Sequence, residues 1–275
     1  MHRLLSGPLT TEKLTVRIAG LPASLQGKKL VQMSDFHYDG LRLSDKMLER
    51  AIAICNEAQP DLVILTGDYV TTTPEPIHQL ARHFKNLESN CGIYAVLGNH
   101  DICYGNSKSE ITTGLENIGV NVLWSKIAYP LGNELALLGL ADFFSKEFNP
   151  ARVMNQLDNN KPRLVLSHNP DTAKVLNTWR VDLQLSGHTH GGQIIIPGFG
   201  PALVTYTKIV EKIPIKLRRQ VPLLRKNYFV VRHWEWSQGL HQLGNNQLYV
   251  NRGLGTYLPG RFFCPPEVTI MTLMN

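Results

Sequence analysis

His188 and His190 stand two residues apart in Ser186-Gly187-His188-Thr189-His190-Gly191-Gly192, directly after an apolar run. A backbone leaving a strand projects imidazoles at i and i+2 side by side, and flanking glycines let the chain crowd a ligand. That is half of a metal site, and its other half should be rich in oxygen. Three earlier segments share the form of an apolar strand followed by a polar cluster. They end in Ser34-Asp35-Phe36-His37, in Thr66-Gly67-Asp68, and in Gly98-Asn99-His100-Asp101. A fourth supplies Ser167-His168-Asn169. All five clusters offer donors at strand ends.

Singly, each cluster has an ordinary explanation. Asp-x-His arises by chance, Gly-Asp ends many strands as turn chemistry, and a lone Ser-His is more often a capped core histidine than a ligand. Five clusters at the ends of five strand-like runs, holding five of the ten histidines, are not explained as turns.

To bring these residues together, the strands must end on one edge of the fold. Strands are expected near residues 14–18, 30–35, 62–66, 93–97, 120–124, 134–140, 163–167 and 182–186. A helix N-capped by Ser44 carries Met47, Leu48, Ala51, Ile52, Cys55 and Ala58 at helical spacing, and Pro60 closes it. Further helices are expected near 77–87, 109–118, 150–157 and 170–178. Beyond Gly192 the texture turns to β, with strands expected at 193–196, 228–234, 247–251 and 267–273 and no helices. Strands alternating with helices, then a run of strands, favour an α/β core with a second sheet packed on it. Ligands in such folds bind outside the carboxyl ends of the strands, where all five clusters fall. No repeat or linker divides the chain, so residues 1–275 read as one domain.

With 43% hydrophobic residues in 275, disorder is excluded as a reading. The net charge of +6 would suit an anionic substrate, a nucleic acid or an anionic membrane. Its location is more informative. Residues 208–232 hold Lys208, Lys212, Lys216, Arg218, Arg219, Arg225, Lys226 and Arg232 against Glu211, a net +7, leaving −1 for the rest of the chain. This basic and apolar insertion, about 203–232, is either a solvated β-rich segment or a patch that rests on an anionic leaflet. Pro214 and Pro222 argue against one continuous helix there. Cys55, Cys91, Cys103 and Cys264 lack zinc-ribbon spacing and read as reduced. No apolar run has signal-peptide or membrane-span length, so the chain reads as cytoplasmic, with peripheral contact on the inner membrane face left open.

The ordered set Asp-x-His, Gly-Asp, Gly-Asn-His-Asp, Ser-His, Gly-His-x-His resembles the calcineurin-like metallophosphoesterase superfamily. The tail Asn251-Arg252-Gly253-Leu254-Gly255-Thr256, with Arg261-Phe262-Phe263-Cys264-Pro265-Pro266-Glu267, is similar to its small bacterial YkuE/YaeI-type branch, so the resemblance spans about 14–273. It implies a four-layer αββα sandwich with the metal site at the C-terminal ends of the strands. It further implies two divalent ions, one held by Asp35, His37 and His190, the other by Asn99, His168 and His188, with Asp68 bridging them. Imidazole and oxygen donors suit Mn, Fe or Zn. His100 becomes the proton donor or charge stabiliser at the leaving-group oxygen and Asp101 its orienting partner, while His78 and His83 stay out of the chemistry.

The implied reaction is hydrolysis of a phosphodiester or pyrophosphate by a metal-activated hydroxide. Phosphorylated small molecules and nucleotide-linked lipids such as UDP-diacylglucosamine are the substrates it points to. A broad-specificity enzyme on soluble nucleotides is the alternative. A nuclease is disfavoured because no aromatic-and-basic binding module is visible, and a non-catalytic scaffold because no ligand position is missing. Neither a specific nucleic acid nor a protein partner is expected.

Overall fold

Leu62-Val63-Ile64-Leu65 is buried at all four positions, as a strand covered on both faces must be. Its side chains alternate between two cores. Leu62 and Ile64 join Leu30 of the preceding strand in one cluster, and Val63 and Leu65 join Val31 in another. That period-2 division, repeated through the chain, sets the layers.

The computed structural model describes residues 5–218 and 231–275. In chain order it runs β1 (Thr10–Arg17), β2 (Lys29–Met33), α1 (Asp45–Glu57), β3 (Leu62–Leu65), α2 (Ile77–Phe84), β4 (Ile93–Ala95), α3 (Ser107–Glu116) and β5 (Val120–Val122). There follow β6 (Lys126–Ala128), β7 (Ala136–Gly139), α4 (Ala151–Met154), β8 (Arg163–Leu166), α5 (Thr172–Leu176) and β9 (Leu183–Ser186). The last part holds β10 (Ile195–Ile196), β11 (Gly200–Pro201), α6 (Ala202–Glu211), α7 (Ile215–Arg218), β12 (Gly239–Leu243), β13 (Asn246–Val250) and β14 (Glu267–Met274).

One sheet has the order β1-β14-β2-β3-β4-β5 and the other β12-β13-β9-β8-β7-β6. Between them lies a shared core in which Leu30, Leu62 and Ile64 of the first sheet meet Leu137, Leu164, Leu166, Leu183 and Leu185 of the second. Helices α1 to α3 cover the outer face of the first sheet through residues such as Leu48, Ile52, Leu80, Phe84 and Ile111. Val153, Met154 and Leu176 of α4 and α5 pack against Leu138 and Val165 on the outer face of the second. The result is the expected αββα sandwich. Fully burying each such side chain contributes about 1.5–3 kcal/mol before entropy is charged against it. Ser44 caps α1 as expected, its hydroxyl accepting from the Met47 amide at 3.3 Å.

Beyond Gly192 the expectation of strands without helices fails. Residues 202–211 form α6, although Val204, Thr205, Thr207, Ile209 and Val210 favour strand locally. Leu203, Tyr206 and Val210 repeat at helical spacing, and the Ala202 amide, donating to the Ile194 carbonyl at 2.8 Å, fixes where the helix starts. Pro214 separates α6 from α7, in keeping with the expected break. Of the expected strand at 228–234, residues 228–230 lie outside the described residues, while the described residues 231–234 form no strand and Trp234–Trp236 is a single 3₁₀ turn. Strand β12 was unexpected. It pairs with β13 as a hairpin around Gly244-Asn245, a dipeptide that favours turns. No described helix is long and apolar enough to cross a membrane.

Candidate metal centre

Both sheets deliver their polar clusters to the same edge. Asp35 and His37 follow β2, Asp68 follows β3, Asn99 and His100 follow β4, His168 follows β8, and His188 and His190 follow β9. Three overlapping sets result, each with its donor atoms within 4.8 Å of one another: Asp35, His37 and His190; His37, Asp68 and His100; and Asp68, His168 and His188. Asp68 is the hub. Its Oδ2 lies 3.4 Å from His37 Nε2 and 3.1 Å from His168 Nε2, while its Oδ1 accepts the His100 amide at 3.0 Å.

The backbone is strained where these side chains project. Asp35, His37, Asp68, His188 and His190 all have positive φ, between 43° and 72°. Each such residue costs of order 1–3 kcal/mol, which the surroundings must offset. Asp101 offsets part of it at Asp68. Its buried carboxylate accepts from the amides of Asp68, Tyr69 and Gly98 at 2.8 Å each, and from Val70 at 3.3 Å. His100 is oriented instead by the Thr71 carbonyl, 2.6 Å from Nδ1. The expected pairing of Asp101 with the His100 ring is therefore replaced by a grip on the Asp68 loop, because an oxygen-only acceptor satisfies a row of amides better than one ring nitrogen.

Two glycines permit the crowding. A Cβ at Gly98 would lie 2.2 Å from Asp68 Oδ1, and one at Gly187 would lie 2.0 Å from Ser34 Oγ and 2.2 Å from Asp35 Oδ2. The Gly187-His188 turn can then press on Asp35, whose two oxygens accept the His188 amide at 2.9 and 3.0 Å.

A ring of supporting groups sets the imidazoles. His168 Nδ1 is 2.7 Å from the Thr66 carbonyl and His190 Nδ1 is 3.2 Å from the Gly255 carbonyl. A carbonyl can only accept, so His168 carries a proton on Nδ1 and turns Nε2 inward, whereas His190 Nδ1 is approached both by the Gly255 carbonyl and by the Arg261 guanidinium at 3.5 Å. The Tyr257 hydroxyl lies 3.0 Å from His37 Nδ1, with the Arg42 guanidinium 4.6 Å above the Tyr257 ring. Arg261 donates to the carbonyls of Gly255 and Arg252, at 2.6 and 2.9 Å, fixing the loop that backs His190.

Sequence reading missed Tyr257, Arg42 and the clamp role of Arg261, which sit in loops without a strand-end signal. It also missed Asp142, where a signal existed. Residues 137–142 repeat the pattern of an apolar strand ending in a carboxylate, and Asp142 is buried with Oδ2 unpartnered among the described residues. Burial pushes Asp142 up to about 6, against the opposing charge of His168. Of the remaining histidines, His78 pairs with Glu110 on the surface and His83 with Asp45, away from the cluster.

Electrostatics divide the histidines. Burial pushes His37 and His190 down to about 3, despite Asp68 and Asp35. For His168 burial acts the same way, but the adjacent Asp68 carboxylate outweighs it and pushes the ring up to about 10. Burial opposes ionisation of Asp68 as well, yet His168 and His37 hold it well below the usual carboxylate range. Burial and the Asp68 charge push Asp101 up to about 8 against its amide donors.

The donor set fits divalent cations. His37 Nε2 faces His190 Nε2 at 3.1 Å, and His168 Nε2 faces His188 Nδ1 at 3.2 Å. Such approaches set lone pairs against each other unless a proton or cation lies among them. Asn99 Oδ1 is buried with no hydrogen-bond partner among the described residues, as an oxygen awaiting a cation would be.

With this edge of imidazole and carboxylate donors on an αββα sandwich, the chain belongs to the calcineurin-like phosphoesterase family, whose pattern matches residues 28–192. It is a metal-dependent phosphoesterase. It is 31% identical to the uncharacterized metallophosphoesterase YkuE of Bacillus subtilis, over 97% of this chain and 86% of the relative. Phosphodiesterase YaeI of Escherichia coli is 30% identical, over 90% and 82%. UDP-2,3-diacylglucosamine pyrophosphatase LpxG of Chlamydia trachomatis is 27% identical, over 90% and 84%. The crystal structure of TT1561 of Thermus thermophilus shares the fold at 13% identity, with a TM-score of 0.51 over 82% of this chain and 90% of that one.

Proposed function

We propose that the chain hydrolyses a phosphodiester or pyrophosphate bond at a two-cation centre, and that its substrate is a nucleotide-linked lipid of the UDP-diacylglucosamine kind. The observation that carries the reading is the shared position of Asp68 Oδ2 between His37 and His168, with histidine sets on either side. In this reading Asp35, His37 and His190 hold one cation, Asn99, His168 and His188 the other, and Asp68 both. Manganese, iron and zinc all suit the donors. Two such cations supply Lewis acidity toward the phosphate and lower the pKa of a water.

The chain's own residues do the rest. His100 Nδ1 donates to the Thr71 carbonyl at 2.6 Å, which turns Nε2 toward the departing oxygen; as the imidazolium the ring gives that oxygen its Nε2 proton and is left neutral with its remaining proton on Nδ1. Asp101 positions Asp68 and does not touch the reacting atoms. The relative named as a UDP-2,3-diacylglucosamine pyrophosphatase supports a lipid-linked pyrophosphate, as do exposed apolar side chains close to the site.

The test is a substrate screen of the purified full chain supplied with Mn²⁺, using UDP-diacylglucosamine, nucleotide sugars, cyclic nucleotides and bis-p-nitrophenyl phosphate. Preferred turnover of the lipid-linked pyrophosphate is expected. Equal or better turnover of soluble nucleotides would replace this reading with a broad-specificity phosphodiesterase.

A further inference from the structure

The loops around the histidines end in large apolar side chains turned to solvent. Leu41 is 77% exposed, Phe199 76%, Leu258 80%, Phe262 58% and Phe263 66%. Their attachments keep them near the site. Leu41 precedes Arg42, which stacks over Tyr257, and Leu258 follows Tyr257, whose ring lies 4.9 Å from that of His37 and 5.3 Å from that of His190. Phe262 bridges to Ile194, and its carbonyl accepts the Ile195 amide at 2.9 Å, a few residues beyond His190. Phe199 lies in the β10–β11 hairpin that starts there, and the Phe262 and Phe263 rings meet edge-on at 4.6 Å. A scattered exposed leucine needs no explanation, whereas five large side chains on three loops beside one site do.

Basic charge adjoins them. Helices α6 and α7 leave the same hairpin at Ala202 and carry Lys208, Lys212, Lys216 and Arg218, with Glu211 the one acid in residues 202–218. Ile209 and Leu217 on these helices are themselves 58% and 53% exposed. Residues 219–230, with Arg219, Arg225 and Lys226 of the basic insertion, lie outside the described residues. Apolar rings beside clustered bases complement an anionic lipid surface, where rings enter the acyl boundary and bases face phosphate headgroups. Two copies meeting across this face would set like charges against each other.

We propose that these loops dock on an anionic bilayer, with Leu41, Phe199, Leu258, Phe262 and Phe263 entering the headgroup–acyl boundary and the metal centre opening at the interface. The inference rests on the lipid-linked reading above and deepens it, because an acylated substrate then reaches the site without leaving the membrane.

The test uses the full chain with Mn²⁺ and sedimentation with phosphatidylcholine vesicles, with or without phosphatidylglycerol. Wild type should sediment with the anionic vesicles alone. Phe262→Ser with Phe263→Ser should weaken that binding about tenfold or more. Lys208→Glu with Lys212→Glu should weaken it at low salt and much less at high salt. Both double variants should turn over bis-p-nitrophenyl phosphate at the wild-type rate, which shows that they fold. The proposal is overturned if wild type stays in the supernatant at low salt, or if the Phe262 and Phe263 variant binds as wild type does. It is also overturned if wild type is a dimer that this variant dissociates, since a second copy would then cover the face. Vesicle binding without hydrolysis of any lipid-linked pyrophosphate would uphold the docking face and sink the substrate reading. Hydrolysis in detergent without vesicle binding would do the reverse.

Discussion

Asp68 and Asp101 are linked through the backbone between their loops: the Asp101 carboxylate accepts the Asp68 amide at 2.8 Å, while the Asp68 carboxylate accepts the His100 amide at 3.0 Å. Each loop thus holds the other, and a left-handed residue, Asp68 at φ 56°, is kept in place at the centre of the site.

Asp101→Ala should therefore act on stability before it acts on chemistry. It strands the buried amides of Asp68, Tyr69 and Gly98, and each unsatisfied donor costs about 1–3 kcal/mol, so a loss of about 3 kcal/mol or more is expected. Urea denaturation of the metal-free variant measures it. A midpoint equal to that of wild type would show that these hydrogen bonds contribute little.

Asp68→Ala should remove both cations and Asn99→Ala mainly one, because Asp68 Oδ2 faces both His37 and His168 while Asn99 offers one oxygen, Oδ1, that is unpartnered among the described residues. Metal content after dialysis gives the count. Two tightly held ions in Asp68→Ala would rule out its bridging role.

How much of this was legible follows from what the signals were. The strands that carry ligands are short apolar runs ending in polar clusters, so Asp35, Asp68, Asn99, His168, His188 and their common edge could be found by pattern. Tyr257, Arg42 and Arg261 reach the site from irregular loops whose paths depend on tertiary contacts, such as the Gly255 amide on the Asp35 carbonyl at 2.7 Å. Helix α6 was hidden because β-branched residues set a local strand preference that its tertiary anchor at Ile194 overrides. The amides of Asp68, Tyr69 and Gly98 that Asp101 accepts were not legible, since sequence adjacency to His100 says nothing about where a carboxylate finds amides.

His100→Asn should leave both cations bound and slow hydrolysis, most for substrates whose leaving group needs a proton. General-acid groups contribute about 10²–10⁴-fold, so alkyl esters should lose that much and nitrophenyl esters far less. Rates across leaving groups of graded pKa decide it. A uniform loss would mean that the ring stabilises phosphate charge without donating a proton.

Tyr257→Phe keeps the ring packed against His37 and removes the hydroxyl 3.0 Å from Nδ1. Loss of such an outer hydrogen bond typically weakens metal binding about 10–100-fold, so one of the two affinities should fall while the thermal midpoint of the metal-free protein stays nearly constant. Competition titration with a chelating dye separates the two sites. Unchanged affinities would make Tyr257 a packing residue.

Gly187→Ala tests the close approach between the sheets in isolation. Gly187 does not have positive φ, so an added methyl meets no backbone penalty there, only Ser34 Oγ at 2.0 Å and Asp35 Oδ2 at 2.2 Å. One of those neighbours must move, and overpacking of this kind costs about 1–3 kcal/mol. Because Asp35 also accepts the His188 amide, the displacement should reach the Asp35, His37 and His190 set first and leave Asn99 and His168 less affected. The expected variant is folded, moderately destabilised and deficient in one cation. Full occupancy of both positions with normal turnover would show that Asp35 can shift without cost, and that the Gly187 turn does not fix the distance between the two sheets at the site.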